Sequence, residues 1–259
     1  MSDTDVLLPV RAPSPWLEHT LDGLRRQSLS NFRLVVLLHG EDAEARRLVQ
    51  TAFPQSDICA LDPQLAFPDV LNFGLRHSTA DFIARIDADD VPVPARLERQ
   101  RSILLDRPTV DIVATAVRLI DETGTPLGLQ GNFPDTEALL RRLRWKNSIA
   151  HSSVMYRREA ALRAGGYNAA AKHAEDYDLW LRLISPQTCE YLHEPLTRYR
   201  LHPEQVTRTS QLDARCAQTI GTSRREYAMR RGDSIGAADI RQFVWWMRQK
   251  LRRLTTTLG

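Results

Sequence analysis

The sequence predicts an α/β protein, a mostly parallel sheet flanked by helices and followed by a helical tail. Three observations carry this expectation. Short apolar runs of strand length recur from Val6 to Ile86. Stretches with apolar residues at helical spacing separate them. Capping residues, prolines and turn residues stand at the joins. Strands that alternate with helices imply parallel, doubly wound pairing, and such sheets bind ligands beyond the carboxyl ends of their strands.

Val6-Leu7-Leu8 begins the first strand, which is expected to end near Pro9-Val10 because proline cannot continue a central ladder. Ser14 is placed to cap a helix with Pro15 at its first position and Leu17, Leu21 and Leu24 along one face. Leu34 to Leu38 reads as the second strand, His39-Gly40 as its turn, and Asp42 as the cap of a helix reaching Thr51. Ile58 to Leu61 is a short third strand. A helix from Asp69 to Ser78 leads into the fourth, and Pro94 opens another helix after it.

The fourth run, Phe82-Ile83-Ala84-Arg85-Ile86, stops in Asp87-Ala88-Asp89-Asp90. Carboxylates crowded at one strand end repel one another unless a cation or hydrogen-bond donors compensate them. Two readings are open for these residues alone. One is a hard divalent ion held by one or two carboxylates, with substrate phosphates completing its shell. The other is a solvated loop whose aspartates cap the next helix.

Beyond Asp106 the rhythm changes. Ile112 to Val117 reads as a strand, Glu122 to Pro126 as a turn, and Asp135 as the cap of a helix running through Trp145. His151 to Tyr156 reads as a strand before a short helix that ends at Gly165-Gly166. In the helix opening at Glu175-Asp176, residues Tyr177, Trp180, Leu181 and Ile184 share one face, which by itself speaks for core packing, and acids gather at the start, where the helix dipole favours them. Ile240 to Leu254 places apolar residues on one helical face with arginines elsewhere, suited to packing on its own domain or on a partner or membrane surface.

Composition excludes several classes. With 42% hydrophobic and 26% charged residues the chain is ordinary for a soluble globular protein. Cys59, Cys189 and Cys216 are widely spaced and show no paired metal or disulfide pattern. No signal-like amino terminus or membrane-length apolar run is present, so a cytoplasmic protein is expected. The net charge of +3 is unevenly placed: from Gln205 onward eleven Arg and Lys face four Asp and Glu, a net +7, which leaves −4 on the preceding 204 residues. That tail suits an anionic partner such as lipid headgroups, or simply a solvated helix face. Nucleic-acid binding is not expected, because interleaved aromatic readout and any recognised module are missing.

Three blocks of sequence together resemble the family 2 glycosyltransferases of the GT-A fold over about residues 5 to 205. The first runs from Val6 to Gly40 and includes Leu-Asp-Gly-Leu-Arg-Arg-Gln-Ser-Leu and Asn31-Phe32-Arg33-Leu34-Val35-Val36. The second runs from Leu71-Asn72-Phe73-Gly74-Leu75 through Asp87-Ala88-Asp89-Asp90 to Pro94-Ala95-Arg96-Leu97-Glu98. The third is His151-Ser152-Ser153-Val154-Met155, then Gly165-Gly166-Tyr167, then Glu175-Asp176-Tyr177-Asp178-Leu179-Trp180-Leu181-Arg182.

The resemblance implies a Rossmann-like sheet and a hexosyltransferase-type enzyme. Such an enzyme moves a sugar from a nucleotide-diphosphate sugar to an acceptor hydroxyl with inversion, in surface polysaccharide or glycoconjugate synthesis. It implies a domain over 1–205, with a nucleotide-binding half at 1–115 and an acceptor-binding half at 116–205, and a basic helical extension at 206–259. It assigns Asp176 as the base, and Pro9, Val10, His39, Asp87 and Asp89 to the donor nucleotide. Asp89 and His202 would ligate Mn2+ or Mg2+, Asp90 would support the turn, and Glu175 and Trp180 would meet a glycan or lipid-linked acceptor. The C-terminal helix would allow peripheral contact with the inner face of the membrane. Where family members commonly carry aspartates at the end of the second strand, one of them pairing with uracil, this chain has Leu38-His39, which leaves a UDP-sugar and the identity of the base open. Arg11-Ala12-Pro13 likewise replaces the tyrosine and asparagine often found after the first strand.

Two further readings compete. Asp87-Ala88-Asp89-Asp90-Val91 after an apolar strand also fits the nucleophile motif of haloacid-dehalogenase-like phosphatases, although Gly232-Asp233 lacks the spacing of their downstream acidic element. A catalytically silent GT-A-like binding domain is the third reading, against which stands the retention of Asp87, Asp89 and Asp176 together.

Overall fold

The computed structural model describes residues 2–11, 14–205 and 213–234, together with the single positions 236, 240, 244 and 247. Strands β1 (Thr4–Val10), β2 (Arg33–His39), β3 (Asp57–Leu61) and β4 (Phe82–Arg85) pair in parallel in the order β3-β2-β1-β4. Helices α1 (Leu17–Arg25), α2 (Ala43–Ala52) and α3 (Phe67–His77) make the crossovers. Asp42 caps α2 through the Ala45 amide, as its position in the sequence predicts.

Strand β1 ends at Pro9-Val10, as expected, with both residues still in register with β2. In an extended strand residues two apart present their backbone polar groups to the same edge. The Leu7 carbonyl accepts from the Ile86 amide, so Pro9 also faces the β4 side, where the β1–β4 register has already ended at Leu7 and Arg85. A missing N–H there costs nothing. The chain then turns at Ser14, whose carbonyl accepts from the Leu17 amide, so α1 begins two residues later than Pro15 suggests.

Alternation along these strands divides the core. Leu7, Val35, Leu37 and Ile83 face one side of the sheet, and Val6, Leu8, Leu34, Val36, Phe82 and Ala84 face the other. The second side is covered by α1, α2 and α4 (Arg96–Asp106), through Leu21, Val49 and Leu97 among others. Gly23 of α1 permits close approach, because a Cβ there would stand 2.8 Å from Val91 and Pro92.

The remaining strands are β5 (Val91–Pro92), β6 (Ile112–Ile120), β7 (Pro126–Gln130), β8 (Val154–Arg157) and β9 (Cys189–Arg200). They extend the order to β3-β2-β1-β4-β8-β6-β9-β5, with β7 hairpinned onto β6. Strand β8 is antiparallel to both β4 and β6, whereas β6 and β9 run parallel along their length. Helices α5 (Thr136–Leu143), α6 (Arg158–Arg163) and α7 (Glu175–Leu183) complete the layer on the first side, and α8 (Ala214–Arg230) packs on α7. Cys216, Ile220 and Tyr227 of α8 join the same core, while Ser223 donates to Asp178 and Arg224 donates to the Tyr177 hydroxyl. The amphipathic stretch from Ile240 to Leu254 lies outside the described residues apart from the single positions Ile240, Val244 and Met247.

Candidate active site

Three segments converge beyond the end of β4. The strand itself delivers Asp87, Asp89 and Asp90. A 3-10 turn, His151–Ser153, delivers Ser152 at the start of β8, and the far end of β9 delivers Arg200 and His202. Pairing β8 and β9 into the same sheet as β4 is what closes a sequence gap of more than fifty residues.

The three aspartates are held differently. Asp87 accepts from Arg85 Nη2 at 2.5 Å and from the Ser152 hydroxyl at 2.8 Å, while its amide donates to Ser152 Oγ at 3.0 Å. Burial pushes this carboxyl up, but Arg85 and Ser152 outweigh it and hold the group below the usual carboxylate range. Asp89 Oδ2 lies 2.8 Å from His202 Nε2. Here burial and the neighbouring Asp87 charge push the carboxyl up, with His202 opposing them. Asp90 is shut away and accepts from the Arg200 amide at 2.8 Å, and burial with two neighbouring acids raises it well above its ordinary value. Side-chain exposures of 33% for Asp87 and 22% for Asp89 decide which two carboxylates a ligand can reach.

Arginines carry the compensation. Arg85 is fully buried and also donates to the Leu7 and Ile86 carbonyls, at 3.0 and 2.6 Å. Arg96 is buried against the Arg85 and Val154 carbonyls, at 2.6 and 3.0 Å. Arg200 donates to the Asp89, Asp121 and Glu122 carbonyls and lies over the Trp16 ring, 5.3 Å from its centre. Trp16 in turn packs on His202 at 4.5 Å and donates its indole N–H to the Glu122 carbonyl.

On the other side of the site α7 presents Glu175 and Asp176. Asp176 accepts from Asn147 Nδ2 at 2.7 Å and from the Tyr177 amide at 2.6 Å. Burial pushes it up to about 6, and Asp87 and Arg85 lie close enough to act on it as well. Glu175 is pushed up to about 7 by burial and by Asp176, and its Oε2 has no partner among the described residues. Between these walls runs a buried chain from Tyr156 through Tyr167 to His151, with contacts of 3.0 and 2.9 Å, and on to Arg85 Nε at 3.3 Å. Burial raises both phenols and, with Arg85, drives His151 well below its ordinary value. His151 is therefore neutral, and its Nε2 accepts from both Arg85 and Tyr167. Asn72 pins this chain by accepting from the Tyr167 amide and donating to its carbonyl, beside Gly166 at φ +65°, where a Cβ would strike the Asn72 side chain at 2.4 Å.

Residues 5–166 match glycosyl transferase family 2. The chain belongs to that family. It is 29% identical over 222 residues to the O-antigen biosynthesis glycosyltransferase WbnJ of Escherichia coli, covering 82% of this chain and 85% of the relative. It is 32% identical over 176 residues to the amylovoran biosynthesis glycosyltransferase AmsE of Erwinia amylovora, covering 65% of this chain and 64% of the relative. In fold it is similar to S. aureus TarS 1-349, solved with UDP-GlcNAc, at TM-score 0.71 and 12% identity over 95% of this chain and 72% of that one. It is also similar to the mannosyltransferase PcManGT from Pyrobaculum calidifontis, solved with GDP-Man and Mn2+, at TM-score 0.59 and 19% identity over 88% and 64%. The expected GT-A-type fold is thus the observed one. Membership of the family makes the chain a glycosyltransferase and sets aside the phosphatase reading of Asp87, whose carboxylate Arg85 and Ser152 already engage.

Within this family 2 fold the structure brings Asp87, Asp89, His202, Glu175 and Asp176 to one site. Trp180 is not part of its lining. Its side chain is 0% exposed and packs on His151 and Tyr156, so burial corrects the expectation of acceptor contact and makes it a supporting wall. Pro9 and Val10 are buried at the end of β1, which leaves their backbone as the part a ligand can meet. His39 ends β2 instead of forming its turn, with both ring nitrogens buried and unpartnered among the described residues. The sequence reading missed Arg85, Ser152, Arg200, Asn147 and Tyr167. Arg85 had a signal: an arginine inside an apolar strand, two residues before Asp87 and therefore on the same face. Arg200, two residues before His202, repeats that pattern.

Proposed function

We propose that this family 2 enzyme is an inverting, metal-dependent glycosyltransferase that uses a nucleotide-diphosphate sugar to glycosylate an acceptor hydroxyl in surface-polysaccharide synthesis. The observation that carries the reading is the pairing of two acid types across one site: Asp87, kept ionised by Arg85 and Ser152 at the end of β4, and a carboxyl at Asp176 pushed up to about 6 on the opposite wall. Asp176 would accept the acceptor's hydroxyl proton as that oxygen bonds to the anomeric carbon. The bond from that carbon to the diphosphate breaks in the same displacement, and the electron pair leaves with the nucleoside diphosphate. A positioned base of this kind contributes about 10²–10⁴-fold.

Asp89 and His202 fit a divalent ion. They are 2.8 Å apart, Asp89 is open to the site, and carboxylate with imidazole is a donor pair that suits Mn2+. Such an ion supplies Lewis-acid neutralisation of charge on the departing diphosphate. Asp87, fixed by Arg85 and Ser152, would face the nucleotide. His39 would read the base, because its two orphaned nitrogens gain a partner only when a ligand brings one.

The names of WbnJ and AmsE support a role in polysaccharide synthesis, and a cytoplasmic enzyme acting on a glycan or lipid-linked acceptor fits that role. Among the described residues no helix is long and apolar enough to cross a membrane, so access to a lipid-linked acceptor would be peripheral, through the basic C-terminal segment. The test is a panel of UDP-, GDP-, dTDP- and CMP-sugars with Mn2+, scored by thermal stabilisation and by donor hydrolysis or transfer, with the anomeric configuration of the product read by NMR. One nucleotide class should stabilise the protein and yield inverted product. Retained configuration would overturn the mechanism, and stabilisation that does not depend on Mn2+ or Mg2+ would overturn the metal assignment.

A further inference from the structure

The free edge of the sheet, away from the site, carries side chains that sugar transfer does not use. Strand β3 is the terminal strand, and Asp57 and Cys59, two residues apart, share one of its faces. His77 reaches them from the last turn of α3. A carboxylate oxygen, the thiol sulfur and an imidazole nitrogen lie within 4.8 Å of one another. His77 Nε2 is 2.7 Å from Asp57 Oδ2, and Cys59 Sγ is 3.7 Å from Asp57 Oδ1. Phe73 stacks on the His77 ring at 5.4 Å and 12°, which holds the imidazole plane toward the strand.

Charge separates a simple ion pair from a cation site. The neighbouring cation is Arg33, whose Nε and Nη2 bind both oxygens of buried Asp5 at 3.0 and 2.6 Å, leaving only a 3.5 Å contact to Asp57. Arg33 and Asp5 are already a neutral pair. Burial and Asp57 push the Cys59 thiol up to about 11, so a bound metal would have to displace its proton to solvent; Asp57 with the thiolate so formed would carry two negative charges, which one divalent ion balances. Thiolate, imidazole and carboxylate together select zinc over the hard ions that suit oxygen donors. Tetrahedral zinc sets nitrogen and oxygen ligands about 3.3 Å apart and sulfur and oxygen about 3.6 Å apart. His77 meets Oδ2 and Cys59 meets Oδ1, so the Asp57 carboxylate would have to turn to offer one oxygen to the ion, or bind it through both, and the His77–Asp57 contact would open slightly.

We propose that Asp57, Cys59 and His77 form a zinc-binding site that ties the edge strand β3 to the end of α3, distinct from the Asp89–His202 pair. Water would complete the shell, since all three side chains are partly exposed or at the surface.

The test uses the full chain, stripped of metal and kept in excess Mg2+ so that hard-ligand sites are occupied. Zn2+ is titrated by calorimetry and by thermal unfolding, and Co2+ is titrated in parallel for the near-ultraviolet absorption that only a thiolate ligand produces. One equivalent should bind, raise the unfolding temperature and, with Co2+, give that absorption. Cys59→Ser should abolish the absorption and weaken zinc binding by roughly 100-fold or more, beyond what loss of an outer partner costs. His77→Ala should weaken binding in the same way. Unchanged zinc affinity in both variants, or wild-type protein without the thiolate absorption, would show that the three residues are only a hydrogen-bonded ion pair and overturn the proposal.

Discussion

The two walls of the site treat Asp87 and Asp176 in opposite ways. At the end of β4, Asp87 receives a guanidinium and a hydroxyl, whereas its neighbours Asp89 and Asp90, met by His202 and by a backbone amide, stay above the usual carboxylate range. On α7, among the described residues, Asp176 receives an amide side chain and a backbone N–H, and one oxygen of Glu175 receives nothing. Formal cations keep Asp87 ionised, whereas neutral donors leave Asp176 and Glu175 near the middle of the pH range. A fixed charge suits the binding of a nucleotide, and a carboxyl that titrates near the working pH suits proton transfer. The contrast therefore predicts which acids respond to pH and which respond to loss of an arginine.

The largest effects should come from the acids themselves. Asp89→Ala should remove metal-stimulated transfer, a loss of about 10³-fold if the ion supplies several kcal/mol. Asp176→Asn should lower kcat by about 10²–10⁴-fold, while donor binding, followed by nucleotide-induced stabilisation, stays near wild type. In the wild-type enzyme kcat/KM should rise with pH through about 6, and that limb should vanish in Asp176→Asn. If Glu175→Gln removes it instead, with an inflection near 7, Glu175 is the base. Stability has the opposite sign. The folded pKa of Asp176 is raised, so its contribution is fully present below the ordinary carboxylate value of 3.8 and is lost as pH rises through about 6. Asp176→Asn should therefore unfold no lower than wild type at pH 8, and relatively lower at pH 4.

Removing the compensation on the opposite wall should cost stability first. Arg85→Met deletes a fully buried guanidinium and leaves Asp87 with Ser152 alone. Breaking a buried pair costs about 3–5 kcal/mol, and the partial exposure of Asp87 lets water recover some of it, so about 2–3 kcal/mol is expected by urea unfolding. The sign again follows the pKa. Asp87 is held low, so its contribution is present above the ordinary carboxylate value and is lost as pH falls. Arg85→Met should flatten the acid side of the stability curve, and an unchanged acid limb would mean that Arg85 does not hold that charge.

The first wall was legible because it is local. Apolar runs, Asp42 as a cap and three aspartates after β4 are adjacent in sequence, and the parallel order of the first four strands follows from their alternation with helices. Pro9 correctly marks the end of β1, while its place inside the β2 pairing depends on where β4 stops, a fact of register. The second wall was legible only in part. Glu175 and Asp176 stand out, but the side chain that donates to Asp176 comes from Asn147, far off in sequence, and the strand that returns His202 to Asp89 has no local signal. Strand β9 has no clean alternation and bends where its register with β6 shifts near Ala116, so period-two reasoning passes over it. Trp180 shows the same limit from the other side. Helical spacing speaks for core packing and the family resemblance for acceptor contact, and the neighbours His151 and Tyr156 make it core.

The smallest effect tests the link between the walls. His151 is neutral, so Nε2 has one lone pair to offer, and Arg85 Nε and the Tyr167 hydroxyl both approach it. Tyr167 must then donate to His151 and accept from Tyr156, which fixes the direction of the whole chain. Tyr167→Phe leaves His151 with its Arg85 bond but strips the buried Tyr156 hydroxyl of its acceptor. The expected loss is about 1–2 kcal/mol by urea unfolding, the range for a buried hydroxyl left unpaired, with the pH limb near 6 retained because Asp176 keeps both donors. Tyr156→Phe in the same background removes the orphan and should restore part of that loss. No recovery in the double variant would mean that the phenols are not arranged in this direction, and that the two walls are coupled by packing alone.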